Sequence, residues 1–197
     1  MVREETLKAA AQAARSCRNC DLWRNATQTV FGEGPEGAAM MLVGEQPGDQ
    51  EDAQGRPFVG PAGKLLDRAL AEAGIERKTI YVTNAVKHFK FAPRGKRRIH
   101  QKPGTVEIVA CHPWLEMEIR LVRPRIIVAM GTTAARAVLG RPVTIARLRG
   151  KIMALDDGRS LLVTIHPSAL LRIAEAEDRA IAYAAFVADL KAAKLGL

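Results

Sequence analysis

The 197-residue chain contains no apolar run approaching the ~20 residues needed to cross a bilayer, so no membrane-spanning helix is expected. Its first seventeen residues, MVREETLKAAAQAARSC, lack the apolar core of a signal peptide, and an intracellular, cytoplasmic protein is the expectation. Cysteine is scarce. Three residues, Cys17, Cys20 and Cys111, are an odd count that argues against a disulfide framework, whereas Cys17-x-x-Cys20 has the spacing of metal ligands. No glycine-rich phosphate loop is present, since Gly44-x-x-x-Gly48 matches neither the dinucleotide nor the P-loop pattern. Internal repeats, low-complexity tracts and a domain boundary are also missing, so residues 1–197 read as a single domain.

Acidic residues are in deficit, 21 against 30 Lys and Arg, for a net charge of +9. That balance suits a polyanionic partner such as nucleic acid, although a generic basic composition explains it equally well. The charge is clustered: RGKRRIHQK, residues 94–102, has five cations and no acid.

Four short apolar runs, 40–43, 79–83, 126–130 and 161–165, read as buried strands, followed by Gly44, Asn84, Gly131 and His166. Helical patterns lie around them. Residues 5–15 carry a stripe of Leu7, Ala10, Ala11 and Ala14. Leu65, Leu66, Ala69, Leu70 and Ala73 form a face that stops at Gly74. Leu115, Ile119 and Val122 form another, with Pro113 expected in its first turn. Residues 132–139 and a final helix bearing Tyr183, Phe186, Val187, Leu190 and Lys194 complete the set. Alternating strands and helices predict an α/β fold, a three-layer α/β/α sandwich around a central four-stranded parallel sheet. Residues 144–155 read as an irregular hairpin, and 88–104 as an exposed basic loop.

The most informative segment is GEQPGDQEDAQGRPFVGPAGKLLD, residues 44–67. It is a long loop directly after a strand, where open α/β sheets place their chemistry. GEQPGDQED, GRPFVGPAG, TNAVKH and HPS, in that order and spacing, resemble the uracil-DNA glycosylase superfamily. The resemblance runs from about Cys17 to Arg172 and is closest to the iron–sulfur branch around family 4. The insert KRRIH resembles the subgroup called UdgX, whose members become covalently joined to uracil-containing DNA.

Excision of a base needs a pocket for the flipped base, stabilisation of the departing anion, a negative group near the sugar and a nucleophile. The resemblance distributes these roles. Glu45 balances charge on the sugar or activates the nucleophile; a loop acid otherwise serves as a solvated side chain or helix cap. Gln46, where the family more often has a small residue, contacts the base or the nucleophile through its amide or its backbone. Asp49 is placed with the base, with loop structuring as the competing role for it and for Asp52. Phe58, the loop's only aromatic, stacks on uracil, and Asn84 reads its O4 and N3–H. His166 donates to O2, while Ser168, Arg172, Arg97 and Arg98 engage DNA. His100 attacks C1′ in place of water; without the insert's likeness, it would be an incidental residue of a phosphate-binding loop.

The resemblance also implies a [4Fe–4S] cluster. Its four ligands would be Cys17, Cys20, His88 and Cys111, with His88 standing where family 4 has cysteine. His112 competes for the fourth position, and zinc on the same residues is the chemical alternative. The expected partner is uracil-containing DNA, preferably single-stranded because an unpaired base costs less to extrude, bound by a monomer. A water-using family 4-like glycosylase and a non-catalytic DNA-binding module are the alternatives.

Overall fold

The computed structural model describes residues 6–197. Residues 1–5, including the first position of the expected helix 5–15, lie outside the described residues. In chain order the elements are α1 (Leu7–Ala14), β1 (Met40–Gly44), α2 (Asp49–Gln54), α3 (Pro61–Glu72), β2 (Tyr81–Asn84), β3 (Phe91–Arg94), β4 (Arg97–His100), α4 (Thr105–Val122), β5 (Ile126–Met130), α5 (Thr132–Leu139), α6 (Ile145–Leu148), β6 (Ile152–Ala154), β7 (Ser160–Thr164), α7 (Pro167–Leu170) and α8 (Ala176–Leu195). No helix among the described residues is long and apolar enough to cross a membrane.

The main sheet has the order β2-β1-β5-β7-β6. Its first four members are parallel, as expected from their continuous apolar runs. A fifth strand, β6, pairs antiparallel with β7 at the edge, which corrects the four-stranded expectation. It comes from the segment read as an irregular hairpin. Three residues with partly exposed side chains carry too little alternation to declare a strand; the open edge of β7 supplies the pairing.

Alternate side chains of β1 feed opposite layers. Met40 and Leu42 pack with Leu66 and Leu70 of α3 and with Phe186 and Leu190 of α8. Met41 and Val43 pack with Cys111 and Leu115 of α4 and with Ala134 and Ala135 of α5. A smaller cluster seats Ala10 and Ala14 of α1 against Trp114 and Met117 of α4.

Two expectations about this region change. Helix α4 starts at Thr105, well ahead of Pro113, which therefore lies inside it. The backbone of Gly104 donates to the Glu107 carboxylate, supplying a start signal three residues into a segment that looked polar. The bond Pro113 cannot donate would go to Val109, an exposed residue. The basic segment is a β-hairpin, pairing Phe91 with His100 and Arg94 with Arg97 around Gly95, whose φ of +58° suits glycine. Its strands lack a clean apolar alternation because tertiary anchors hold them.

Behind β2, Lys87 and Glu118 form a fully buried ion pair, 1% and 0% exposed, with Nζ 2.5 Å from Oε2. Lys87 Nζ also donates to Thr83 Oγ1 and the Asn84 carbonyl. Glu118 accepts from Gly32 N, Tyr81 Oη and Thr83 Oγ1. Removing one member strands a buried charge, which costs about 3–5 kcal/mol. Lys87→Met should lower the unfolding free energy in urea by that amount, and Lys87→Met with Glu118→Leu should recover most of it. Equal stability for the single and double variants would show that the pair carries no such coupling.

Candidate active site

The chain leaves β1 toward β2 on one side and returns on the other through β5, so the sheet order reverses beside β1. Open α/β sheets bind ligands at the carboxyl ends of strands at such a point. There, a cavity of about 160 Å³ is lined by residues including Glu45, Phe58, Asn84, His100, His166 and Arg172.

The pocket floor follows from strand register. Gly44 of β1 pairs with Asn84 of β2. A Cβ on Gly44 would lie 2.4 Å from Asn84 Oδ1 and 2.5 Å from Phe58 Cζ, so glycine lets the amide and the ring converge. Asn84 Oδ1 is buried and has no hydrogen-bond partner among the described residues. The Phe58 backbone sits at φ +54°, a left-handed conformation unusual for a non-glycine residue. Glu51 shapes this turn by accepting from the backbones of Gly48, Val59 and Gly60. The Phe58 ring lies 5.8 Å from that of His166, tilted 31°.

His166 caps α7. Its Nδ1 accepts from the Ser168 backbone N–H at 3.2 Å and lies 2.8 Å from Ser168 Oγ. An accepting Nδ1 places the proton of the neutral ring on Nε2. That Nε2 is buried and has no partner among the described residues, and His166 lines the cavity. Burial outweighs the attraction of Glu45 and lowers the His166 pKa to about 4, with Arg172 and His100 adding to the decrease. The site thus holds a neutral imidazole with an aimed N–H donor.

Glu45 follows Gly44 directly. One carboxylate oxygen accepts from Thr133 Oγ1 at 2.5 Å; the other lies 3.4 Å from His100 Nε2. Burial acts to raise its pKa, but the hydrogen bonds with His100 and Thr133 outweigh it, so the carboxyl titrates below its ordinary value. His100 comes from the far end of the hairpin and remains 46% exposed.

Three anchors hold that hairpin over the pocket. The Gln46 amide donates to the Lys90 and Gln101 carbonyls and accepts from Lys90 N. Lys90 Nζ pairs with Glu107 of α4 at 2.6 Å. Arg98 pairs with Asp49 and Asp52, donates to Thr27 Oγ1, and lies over the rings of Phe89 and Phe91.

These contacts bear on three expected assignments. The Gln46 amide is engaged with the hairpin, leaving only the rest of the residue on the pocket wall. The Asp49 carboxylate faces Arg98 and does not line the cavity. Arg98 is turned inward onto the acids, whereas Arg97 on the neighbouring position is exposed. Opposite charges attract across a fold that sequence spacing does not reveal. Arg172 is exposed at the pocket rim, beside Ser168.

Thr133 and Glu51 were not singled out from sequence. Thr133 stands just beyond a strand, where the rule that located Glu45 applies equally. Glu51 lies three residues past Gly48, a capping-box spacing.

Of the four expected metal ligands, Cys20 meets Cys111 and His88. Cys17, His88 and Cys111 are buried, and Cys20 is partly so. Hydrogen bonds from Cys111 and His88 lower the Cys20 pKa to about 5, while its partner Cys111 is pushed up. His88 Nε2 meets Thr29 Oγ1 at 3.0 Å, and its Nδ1 is buried without a partner. Cys17 Sγ accepts from Trp114 Nε1. Among the described residues, no group of three or more His, Cys, Asp or Glu is placed to hold a metal ion. His112, the competing ligand, instead points outward and pairs with Glu116 at 3.1 Å.

The state of His166 is measurable. Ring carbon and nitrogen NMR should show a neutral Nε2–H tautomer down to about pH 4. Between its ordinary 6.5 and that value the unfolded chain binds more protons, so His166 makes folding stability fall as pH drops through this window. A ring that titrates near 6.5 would contradict the buried, aimed donor.

Comparison with known proteins agrees with this geometry. The profile of the uracil DNA glycosylase superfamily matches residues 31–191. The chain is 38% identical over 180 residues to a Type-4 uracil-DNA glycosylase of Thermotoga maritima, covering 91% of this chain and 90% of that protein. It is 36% identical over 174 residues to a Type-4 uracil-DNA glycosylase of Archaeoglobus fulgidus, covering 85% and 84%. A Type-5 uracil-DNA glycosylase of Pyrobaculum aerophilum is 31% identical over 170 residues, covering 78% and 71%. A match over most of its length, with strand ends that converge on one small pocket, makes this chain a member of the uracil-DNA glycosylase superfamily.

Proposed function

We propose that this protein excises uracil from DNA and remains covalently attached to the abasic sugar through His100. The observation that carries the covalent step is the approach of His100 Nε2 to the Glu45 carboxylate, 3.4 Å away at the pocket mouth. The similarity to uracil-DNA glycosylases supports the excision itself.

A flipped uracil would stack on Phe58. Its N3–H would reach the unpartnered Asn84 Oδ1, with the amide nitrogen toward O4. Cytosine presents the reverse pattern at these atoms and would leave buried groups unpaired. As the C1′–N1 bond breaks, N1 keeps the electron pair. The His166 Nε2–H would stabilise the charge that spreads to O2. Ionised Glu45 balances the positive character of the sugar. A neutral His100 ring nitrogen forms the new bond to C1′, Glu45 balances the charge of the imidazolium that results, and the proton on the other ring nitrogen is lost to solvent. Hydrolysis of the resulting linkage requires an alkylated imidazole to leave from carbon, so the product persists.

Exposed Arg94, Lys96 and Arg97 at the hairpin turn form a basic edge that suits the phosphates flanking the base. Single-stranded DNA, whose base needs no unpairing, is the favoured substrate in this reading.

Cys17, Cys20, His88 and Cys111 are proposed to hold a [4Fe–4S] cluster. Three soft thiols and an imidazole whose buried Nδ1 lacks a partner fit that group. When bound, it supplies a covalent tie between the N-terminal segment, the stretch after Asn84 and α4. The residues of the pocket carry every step of excision.

Denaturing gels with uracil-containing single strands test the mechanism. Wild-type protein should give a shifted protein–DNA band that survives denaturation. His100→Ser should abolish the band yet retain alkali-revealed abasic sites, and Glu45→Gln should slow excision by about 10²-fold or more. A persistent band in His100→Ser removes this residue as nucleophile. Abasic sites without any wild-type band point to water as nucleophile, and binding with neither product points to a DNA-binding module.

The cluster has its own test. Anaerobically purified protein should be brown, absorb broadly in the visible and contain iron and sulfide in equal amounts. Colourless protein with stoichiometric zinc would overturn the iron–sulfur assignment.

A further inference from the structure

Glu45 is held by two contacts of unequal quality. The hydroxyl of Thr133 donates to Oε2 at 2.5 Å, a short charge-assisted bond, whereas His100 Nε2 stands 3.4 Å from Oε1. Their supports differ as well. Thr133 is 2% exposed, in the first turn of α5, a helix packed on the sheet beside buried Ala134 and Ala135. His100 ends the second strand of an exposed two-stranded hairpin.

The hydroxyl has one proton. In a helix, threonine often directs it to the carbonyl one turn back; here it reaches across the sheet's switch point, from the end of β5 to the end of β1. Gly131, the residue just before α5, has no side chain with which to cap the helix. A carboxylate bound in the first turn therefore also finds favourable backbone polarity.

We propose that Thr133 is the positioning residue for Glu45. It holds one carboxylate oxygen so that the other faces His100 and the reacting sugar. Among the titratable or charged groups that line the cavity with Glu45, His100 from β4 and His166 after β7 act on its carboxylate, while Glu51 from α2 and Arg172 after α7 share the cavity wall. With the hydroxyl removed, the tendency of burial to protonate Glu45 is opposed by one fewer donor. Losing a hydrogen bond to a charged group predicts at least about a tenfold effect on any step that needs the oriented anion.

This inference rests on the excision reaction proposed above, and the test separates the two. Single-turnover rates of uracil release and adduct formation are measured against pH for wild type, Thr133→Val and Thr133→Ser. The valine variant keeps the shape but lacks the hydroxyl. It should be at least about tenfold slower at neutral pH, and its acid limb should move to higher pH. Its affinity for a non-cleavable 2′-fluorinated uracil strand should change less than about twofold. The serine variant should restore both rate and profile. A valine variant with the wild-type pH profile, whatever its rate, or a serine variant that restores nothing, would overturn the assignment. If the wild type releases no uracil and forms no adduct, the reaction itself fails. The Glu45 carboxyl carbon titration, followed by NMR without DNA, still decides the role of Thr133: it should move upward in Thr133→Val, and an unmoved titration would refute the contact.

Discussion

The site depends on the register of β1 between β2 and β5. Gly44 falls opposite Asn84, and Val43 falls opposite Ala129. Hydrogen bonding along parallel strands makes that alignment collective, since a slip of one residue would turn every side chain to the other layer. Glu45 therefore emerges next to the Asn84 amide and within reach of the helix that follows β5. The same constraint explains why Gly44 has no side chain: the amide and the Phe58 ring occupy the space a Cβ would need.

Around this rigid floor, polarity is arranged by burial. His166 is kept neutral because its Nε2 lies where charge is costly, while the ordered Ser168 N–H selects the tautomer. Glu45, in the same cavity, stays ionised because donors meet its oxygens. A neutral donor and an anionic acceptor on the wall of one cavity form a polar gradient before any ligand arrives. Electrostatic preorganisation of this kind avoids reorganisation during reaction. The buried Lys87–Glu118 pair extends the order beneath the floor, since Lys87 also donates to the Asn84 carbonyl.

The hairpin depends on contacts outside itself. Its own two strands cannot form a stable sheet, and their sequence mixes Pro93, Gly95 and cations without a buried face. It is fastened through Gln46, Lys90 and Arg98 to partners 44, 17 and 46–49 residues away in sequence. These anchors account for residues that looked like ligand contacts when read singly. Asp49 and Arg98 are each other's partners, and Gln46 supports the strand that carries His100.

Four parallel strands, their helical faces and the positions after the strands were legible from apolar periodicity and turn residues, because burial on both sides of a sheet demands continuous apolar runs. The clustering of Glu45, Phe58, Asn84 and His166 was legible from motif order, since strand-end residues of one sheet converge. The edge strand β6, the hairpin and the extent of α4 were not, because pairing to an open edge and charge contacts across the fold leave no local periodicity. The role of Thr133 was equally hidden: a threonine in the first turn of a helix is locally ordinary. Only the tertiary structure, by bringing the end of β5 against the end of β1, decided which carboxylate that hydroxyl meets and which of the basic side chains turn inward.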